Sequence, residues 1–482
     1  MKQNDLKNIN ICCIGAGYVG GPTMAVLAKH CPNIQVTVTD HNLERINDWN
    51  SIDLSKLPIY EPGLDEIVNK YRGKNLHFSS EVEKNISIAD MIFISVNTPT
   101  KTKGVGAGKA SDIKWVEACA RQVANNAKDH TIIVEKSTLP VRTAEVIKNI
   151  LESATSIKSQ KNPSISFDVL SNPEFLSEGS AIKDLENPDR VLIGGENNQA
   201  IKALSEIYEN WVPVKKILYT NIWSSELAKL TANAFLAQRI SSINSIGALC
   251  EATGADVREV SRAIGTDSRI GAKFLDAGPG FGGSCFKKDI LNLVYLASYF
   301  GLHEVANFWE SVVKLNYWHQ NRISRLIVKK LFGTLSDKKI AVLGFAFKAN
   351  TNDTRESAAI QICKELLEEG AILSIYDPKV SRKQIKRDLN FINDPYEIKT
   401  ESNNLNKYFI ADNIQETFQD ADAILILTEW SEFSNINWES AYKMMRKPAW
   451  VFDSRSIVNP QKVLDANLKL WRIGDGSKIS NI

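Results

Sequence analysis

The stretch Ile11-Cys12-Cys13-Ile14-Gly15-Ala16-Gly17-Tyr18-Val19-Gly20 decides the fold class. Residues 8–14 form a short apolar run, glycines follow at 15, 17 and 20, and Pro22 to His30 has helical character, so strand, turn and helix succeed one another. The next run, Ile34-Gln35-Val36-Thr37-Val38-Thr39-Asp40, is β-branched and ends in an acid twenty residues past Gly20. That spacing has a reason. Glycines let the backbone approach a pyrophosphate at a helix N-terminus, and the acid pairs with an adenosine ribose. An acid at this strand end favours NAD over NADP, although Arg45 five residues on leaves NADP open. An ordinary tight turn is the competing reading.

Working outward, apolar runs recur at Met91–Val96, Thr131–Glu135 and Phe167–Leu170, with helical stretches between them. Alternating strands and helices predict a mostly parallel sheet covered on both faces. From about Trp223 to Phe332 the apolar spacing changes to three and four, which predicts a helical connector whose first helix runs from Ser224 to Ala252. Alternation returns at Lys339–Gly344, Ile372–Pro378, Ala423–Thr428 and Ala449–Asp453, with a helix near Ser357 to Glu369. The expected fold class is α/β, with two Rossmann-like doubly wound domains joined by a long helical connector. The expected domains are residues 1–222, 223–335 and 336–482. Gly344-Phe345-Ala346-Phe347 lacks the second and third glycines, so the last domain is expected to hold a nucleotide by another loop. Residues 379–410 read as a polar, exposed insertion.

At 482 residues the chain exceeds one hydrophobic core. Fifty-eight basic and 56 acidic side chains leave a net charge of only +2, which argues against a nucleic-acid surface while permitting an anionic small molecule. The polar start Met1 to Leu6 lacks a secretory pattern, and no apolar segment reaches the roughly 18 to 20 residues needed to span a bilayer. A cytoplasmic protein with no membrane partner is the expectation. Seven scattered cysteines suit a reducing compartment, and neither a Cys-x-x-Cys pair nor a His-x-x-x-His cluster occurs, so no metal is expected.

Four groups of residues carry chemistry. Val96-Asn97-Thr98-Pro99-Thr100 and Glu135-Lys136-Ser137-Thr138 stand at predicted strand ends, where doubly wound folds place ligands; both are also ordinary turn sequences. Glu174, in Ser171-Asn172-Pro173-Glu174-Phe175-Leu176-Ser177-Glu178-Gly179, suits a general acid or base if burial raises its pKa, and equally suits a helix start after proline. Lys229 and Asn233, four apart on one helix face among apolar and small neighbours, could hold an oxyanion, against the alternative of a solvated face. Cys285, in Gly280-Phe281-Gly282-Gly283-Ser284-Cys285-Phe286-Lys287-Lys288-Asp289, alone among the cysteines has glycines before it and charged residues after it. Cations near a thiol favour thiolate, so a dinucleotide site and this cysteine together suggest oxidation of an aldehyde through a carbon–sulfur bond.

From Ile11 to about Arg455, through Gly15–Gly20, Val96–Thr100, Asn172–Gly179, Trp223–Glu251, Gly280–Asp289, Gly344–Lys348 and Asp453-Ser454-Arg455, the chain resembles the UDP-glucose 6-dehydrogenase family of nucleotide-sugar dehydrogenases. The flanks Ala232–Ile240 and Gly344–Lys348 look like its animal-type branch. The resemblance implies four-electron oxidation of UDP-glucose to UDP-glucuronate with two NAD and one water, through a thiohemiacetal and thioester on Cys285. Glu174 corresponds to the acid/base group, Thr138 and Asp289 to residues that position water, and Lys229 and Asn233 to groups that stabilise charge on the C6 oxygen. For NAD it implies Gly15, Ala16, Gly17, Tyr18, Val19, Gly20, Asp40, Arg45, Val96 to Thr100, Ser137, Thr138, Glu178, Cys285, Lys288 and Arg355. For the sugar nucleotide it implies Glu174, Phe175, Leu176, Ser177, Glu178, Lys229, Asn233, Arg269, Asp276, Phe281, Gly282, Phe347, Lys348 and Arg455. It further implies a homodimer or higher oligomer packed through the connector, Arg269 reaching the neighbouring subunit's site, and an active site in the cleft between the two α/β domains. Pro279 and the short tail after Trp471 depart from the pattern. The alternatives are a dehydrogenase of UDP-N-acetylmannosamine or GDP-mannose, a two-electron enzyme that releases the aldehyde, or a catalytically silent nucleotide-binding regulator.

Overall fold

A computed structural model describes residues 9–161, 164–390 and 407–477. The chain divides into two compact units, Met1–Ala232 with Leu291–Gly301, and Asn233–Ile290 with Leu302–Ile482.

In the first unit β1 (Asn10–Ile14), β2 (Gln35–Thr39), β3 (Leu76–Ser79), β4 (Met91–Ile94), β5 (Thr131–Glu135), β6 (Phe167–Ser171), β7 (Val191–Gly194) and β8 (Ile217–Thr220) form one sheet in the order β3-β2-β1-β4-β5-β6-β7-β8. Ile11 is in register with Val36 on one side and Met91 on the other. Every neighbouring pair is parallel except β6 and β7, which meet antiparallel at Ser171 and Gly194. From β1 the chain runs outward to β2 and β3, then crosses back to β4 on the other side of β1, and such a reversal opens a crevice at the carboxyl ends of the strands. Two apolar clusters cover the two faces, one around Met24, Leu27, Val36 and Phe93, the other around Ile14, Ile92, Val123 and Ile133. The two clusters explain why β4 and β5 read as unbroken apolar runs, since a strand buried on both sides has no polar face.

The second unit carries a parallel sheet of β9 (Lys339–Leu343), β10 (Ile372–Tyr376), β11 (Tyr408–Ile410), β12 (Ala423–Ile426), β13 (Trp450–Asp453) and β14 (Lys469–Arg472), ordered β11-β10-β9-β12-β13-β14. Helix Ala358–Glu368 covers it because Ser357 caps its start, its Oγ accepting the Ala359 N–H at 3.3 Å, and because Ala359, Ile362, Cys363 and Leu366 recur at helical spacing and are buried. Part of the stretch expected to be an insertion is regular structure instead, the helix Arg382–Asn390 and strand β11. Ile385 and Leu389 bury one side of that helix, a signal too sparse among its charges to stand out. Residues 391–406 of that stretch, the start Met1 to Leu6 and the tail beyond 477 lie outside the described residues.

The expected helical connector contains Ile222–Thr253, Val257–Gly265, Phe286–Tyr299 and His303–Lys330. The first has 32 residues, about 48 Å of helix. Among the described residues no helix is long and apolar enough to cross a membrane, and no group of His, Cys, Asp and Glu could hold a metal ion.

Candidate active site

In the first unit the loop Gly15–Gly20 feeds helix Gly20–His30, which begins with no side-chain cap and no acid in its first turn. At Gly15 φ is +112°, and an added Cβ would collide with the Ser95 carbonyl. At Gly17 an added Cβ would meet nothing within 4 Å, so the loop presents open backbone at an uncapped helix start, the setting an anionic pyrophosphate requires. Asp40 braces this loop: Oδ2 accepts the Ala16 N–H at 3.0 Å and an Arg45 N–H at 3.0 Å, and Oδ1 accepts the Asn42 N–H at 2.9 Å. Arg45 is thereby paired with the acid. Trp49, which the sequence did not single out, donates its indole N–H to the Ala16 carbonyl at 3.0 Å.

Two further strand ends converge on each other. Thr98 donates its hydroxyl to the Thr138 carbonyl at 2.9 Å, and Ser137 donates to the Val96 carbonyl at 2.7 Å. Beyond β6, Glu174 is buried and its Oε1 accepts the N–H groups of Phe175 at 2.7 Å and Leu176 at 2.9 Å. Its Oε2 lies 3.0 Å from the ammonium of Lys136. Lys229 approaches from helix Ile222–Thr253, its Nζ 5.2 Å from the centre of the Phe175 ring. Here the sequence expectation is corrected. Burial pushes the Glu174 carboxyl up, but Lys136, Lys229 and the backbone donors more than offset it, and the net shift is downward. Glu174 therefore rests as a carboxylate, able to accept a proton. The Glu178 loop is fastened by Glu61, which accepts the Gly179 N–H at 2.6 Å and the Ala181 N–H at 3.1 Å.

In the second unit Cys285 immediately precedes helix Phe286–Tyr299, at the positive end of the helix dipole, which favours negative charge. It is partly exposed, whereas the other six cysteines are buried. Burial pushes Cys12, Cys31, Cys119 and Cys363 up to about 12 and raises Cys13 and Cys250 as well. The flanking lysines sit in ion pairs, Lys287 with Glu356 at 2.9 Å and Lys288 with Asp289 at 3.5 Å. Asp289 is buried; its N–H donates to the Cys285 carbonyl at 2.8 Å, and its Oδ2 accepts from Asn233 at 2.6 Å. Cys285, Asp289 and Asn233 are thus brought together.

The glycine-rich loop before Cys285 needs its glycines for contact. A Cβ on Gly283, where φ is +85°, would press on the Phe347 ring at 3.1 Å, and the Gly283 N–H donates to the Arg355 carbonyl at 2.8 Å. Phe281 is buried, both its backbone groups bonded to Asn316 at 2.9 and 3.1 Å. Gly278 is gripped by Asn244 at 2.9 Å and by His319 at 2.8 Å. The Gly278 carbonyl only accepts, so His319 donates from Nε2; burial lowers its pKa to about 4 and keeps the ring neutral. Asp276 lies at the start of this loop, exposed next to the buried Leu275. Arg455 donates to the carbonyls of Leu427 and Phe347, each at 2.8 Å, and lies 3.0 Å from Glu429. Lys348 stands 5.4 Å from the Phe347 ring centre, and Arg355 is paired with Asp353. Arg269 has 87% of its side chain exposed and Asp267 2.6 Å away.

The second sheet repeats the loop geometry, the Gly344 N–H donating to the Tyr376 carbonyl at 2.8 Å as the Gly15 N–H does to the Thr39 carbonyl at 2.7 Å. Asp377, at the end of β10, accepts from Phe345, Ala346, Lys379, Val380 and Trp430, leaving little capacity for a ribose.

Family models for the UDP-glucose/GDP-mannose dehydrogenase NAD-binding, central and UDP-binding domains match residues 9–212, 223–318 and 341–460. The chain belongs to the UDP-glucose/GDP-mannose dehydrogenase family. It is 56% identical over 454 residues to a UDP-glucose 6-dehydrogenase of Gallus gallus, covering 93% of this chain and 89% of that one. It is 53% identical over 475 residues to UDP-glucose 6-dehydrogenase 4 of Arabidopsis thaliana, covering 97% of each. A solved UDP-glucose dehydrogenase from the archaeon Pyrobaculum islandicum superposes with a TM-score of 0.80 at 28% identity, over 98% of this chain and 99% of that one. As a member of the UDP-glucose/GDP-mannose dehydrogenase family the chain takes NAD on its first sheet, where Gly15 to Gly20 and Asp40 fit it. The UDP-binding match includes Phe347, Lys348 and Arg455.

Proposed function

We propose that this protein oxidises the C6 hydroxyl of UDP-glucose to the carboxylate of UDP-glucuronate, with Cys285 carrying the sugar between two oxidations. Support comes from the near-full-length identity to UDP-glucose 6-dehydrogenases. The observation that carries the covalent route is that Cys285 alone among seven cysteines is not buried. Two NAD, bound in turn, would supply the hydride acceptors, one for each oxidation. Cys285 adds to the C6 aldehyde, forming a carbon–sulfur bond; oxidation of that adduct leaves a thioester, and water breaks the same bond to release the carboxylate and restore the thiol. Glu174, resting ionised, accepts the proton of the attacking water, while Lys229 and Asn233 stabilise charge on the C6 oxygen. Thr138 and Asp289 position water. The UDP moiety is read by the second sheet's loops, in a domain we place at 336–482, after a dimerising segment at 223–335.

A substrate panel tests this reading. With UDP-glucose we expect two NADH per UDP-glucuronate; faster oxidation of UDP-N-acetylmannosamine or GDP-mannose, or release of free aldehyde at one NADH per turnover, would overturn it.

Arg269 belongs to a neighbouring subunit's site in this proposal. Its exposure supports that role, as does Arg239, which fixes the adjoining loop by donating to the carbonyls of Ile270, Gly271 and Lys273. Phe235, Ile246 and Leu249 lie exposed on one side of helix Ile222–Thr253, an apolar face suited to pairing with its copy. Arg269→Ala should raise the KM for UDP-glucose by about tenfold or more, the loss of one charge-assisted contact to an anion. Steady-state kinetics identical to the parent enzyme would remove Arg269 from the site.

A further inference from the structure

We propose that Lys136 is a positioning residue for the reaction: it holds Glu174 in the ionised form needed for a base, and Asn172 and Tyr208 hold Lys136. This rests on the proposed role of Glu174 and adds to it the group that decides its charge.

The geometry is a closed buried network in the first unit. The Lys136 ammonium lies 3.0 Å from Glu174 Oε2, and it donates to Asn172 Oδ1 at 3.1 Å and to the Tyr208 hydroxyl oxygen at 3.2 Å. An ammonium has three N–H groups, and these three acceptors use all of them. Tyr208 in turn donates to Asn172 Oδ1 at 2.6 Å, and Asn172 anchors itself by donating from Nδ2 to the Leu192 carbonyl at 2.8 Å and from its backbone to the Glu135 carbonyl at 2.9 Å. Lys136 is 3% exposed, Asn172 1% and Tyr208 4%. With its donors spent on protein atoms, Lys136 acts through Glu174 and has none left for a sugar. Lys229 is the other cation whose charge bears on Glu174, and the Thr23 hydroxyl, 3.4 Å from Oε2, is a third polar neighbour.

Two buried charges cost desolvation, and a structural core would dispense with both more cheaply than keep them. Their retention beside a carboxylate with a chemical task makes sense if the cation sets that carboxylate's protonation. Burial favours the neutral acid; Lys136, joined by Lys229 and the Leu176 N–H, reverses this, and the Glu174 pKa is lowered from its usual value. The sign follows. A base with a depressed pKa works down to low pH, and its activity fades only when pH falls through that depressed value. Without Lys136 the pKa climbs and activity is lost at higher pH.

The experiment is the pH dependence of kcat/KM for UDP-glucose in the full-length enzyme and three variants. Lys136→Met should move the acidic limb upward by about one to three pH units. Tyr208→Phe, which keeps the ring and the lysine but removes one acceptor, should move it the same way by less. Glu174→Gln should abolish the limb. A Lys136→Met enzyme slowed equally at all pH, with its limb unmoved, would overturn the inference while leaving Glu174 as base. If Lys136→Met does not fold, Tyr208→Phe decides, and an unmoved limb there overturns the inference. A limb that persists in Glu174→Gln would locate the failure in the role of Glu174 itself, and the inference would fall with it.

Discussion

Cys285→Ser should abolish UDP-glucuronate formation, with a loss on the order of 10³-fold or more in acid produced per unit time. Serine preserves the size of the side chain and the start of helix Phe286–Tyr299, so the loop gripped by Phe347, Arg355 and Asn316 should stand unchanged. What is lost is nucleophilicity, because a hydroxyl at neutral pH is almost entirely protonated and a thiol is not. No other cysteine can substitute, since the remaining six are buried and their thiols are pushed upward by desolvation. Product chromatography and intact-mass measurement of the stalled enzyme check the prediction. Undiminished UDP-glucuronate from the serine variant would end the covalent route.

Gly15→Ala is the second change of large expected effect. Its φ of +112° lies where an L side chain is strained, and the new Cβ would fall against the Ser95 carbonyl, which belongs to the backbone and has no rotamer to yield. Strain and overlap together should destabilise the first unit by about 2–4 kcal/mol and weaken NAD binding by about 100-fold or more, because the loop must shift away from where a pyrophosphate docks. Gly17→Ala is the informative partner. Its Cβ meets no protein atom within 4 Å, so the variant should fold with a parental melting temperature yet still bind NAD poorly, the methyl group occupying space the ligand needs. Melting curves and calorimetric NAD titrations separate the two. A Gly15→Ala protein with parental stability and affinity would show that the loop is not held as described.

Much of this architecture was legible beforehand, for identifiable reasons. β1, β4, β5, β9, β10, β12 and β13 are four or five residues long, mostly apolar, and have a strand on each side, so burial marks them in composition, while β2, Gln35–Thr39, is marked by its β-branched residues. β3, β8, β11 and β14 lie at or beside sheet edges, and β8 shows two exposed residues, Leu218 and Tyr219, in its four. β3, Leu76-His77-Phe78-Ser79, alternates buried with half-buried residues, a weaker mark in composition than a run buried throughout. The antiparallel meeting of β6 and β7 left no local mark either, since direction in a sheet depends on the path of the connecting chain.

The site divides in the same manner. Glycine spacing, the acid of Asp40 and the setting of Cys285 are properties of contiguous residues, and the sequence by itself determined them, along with family, cofactor and the order of the two α/β halves. The charge of Glu174 is different in kind. It depends on Lys136, thirty-eight positions away, on Lys229 from helix Ile222–Thr253 and on the Tyr208 network, and proximity among them exists only in the folded chain. Likewise, tertiary structure alone showed Lys287 paired with Glu356, Arg455 turned to the Leu427 and Phe347 carbonyls, and Asp377 filled by five donors. Backbone conformation is written locally because it is governed by sterics between adjacent residues. Protonation and side-chain pairing are decided by desolvation and Coulomb interactions across a few ångströms of space, where distance along the chain has no weight.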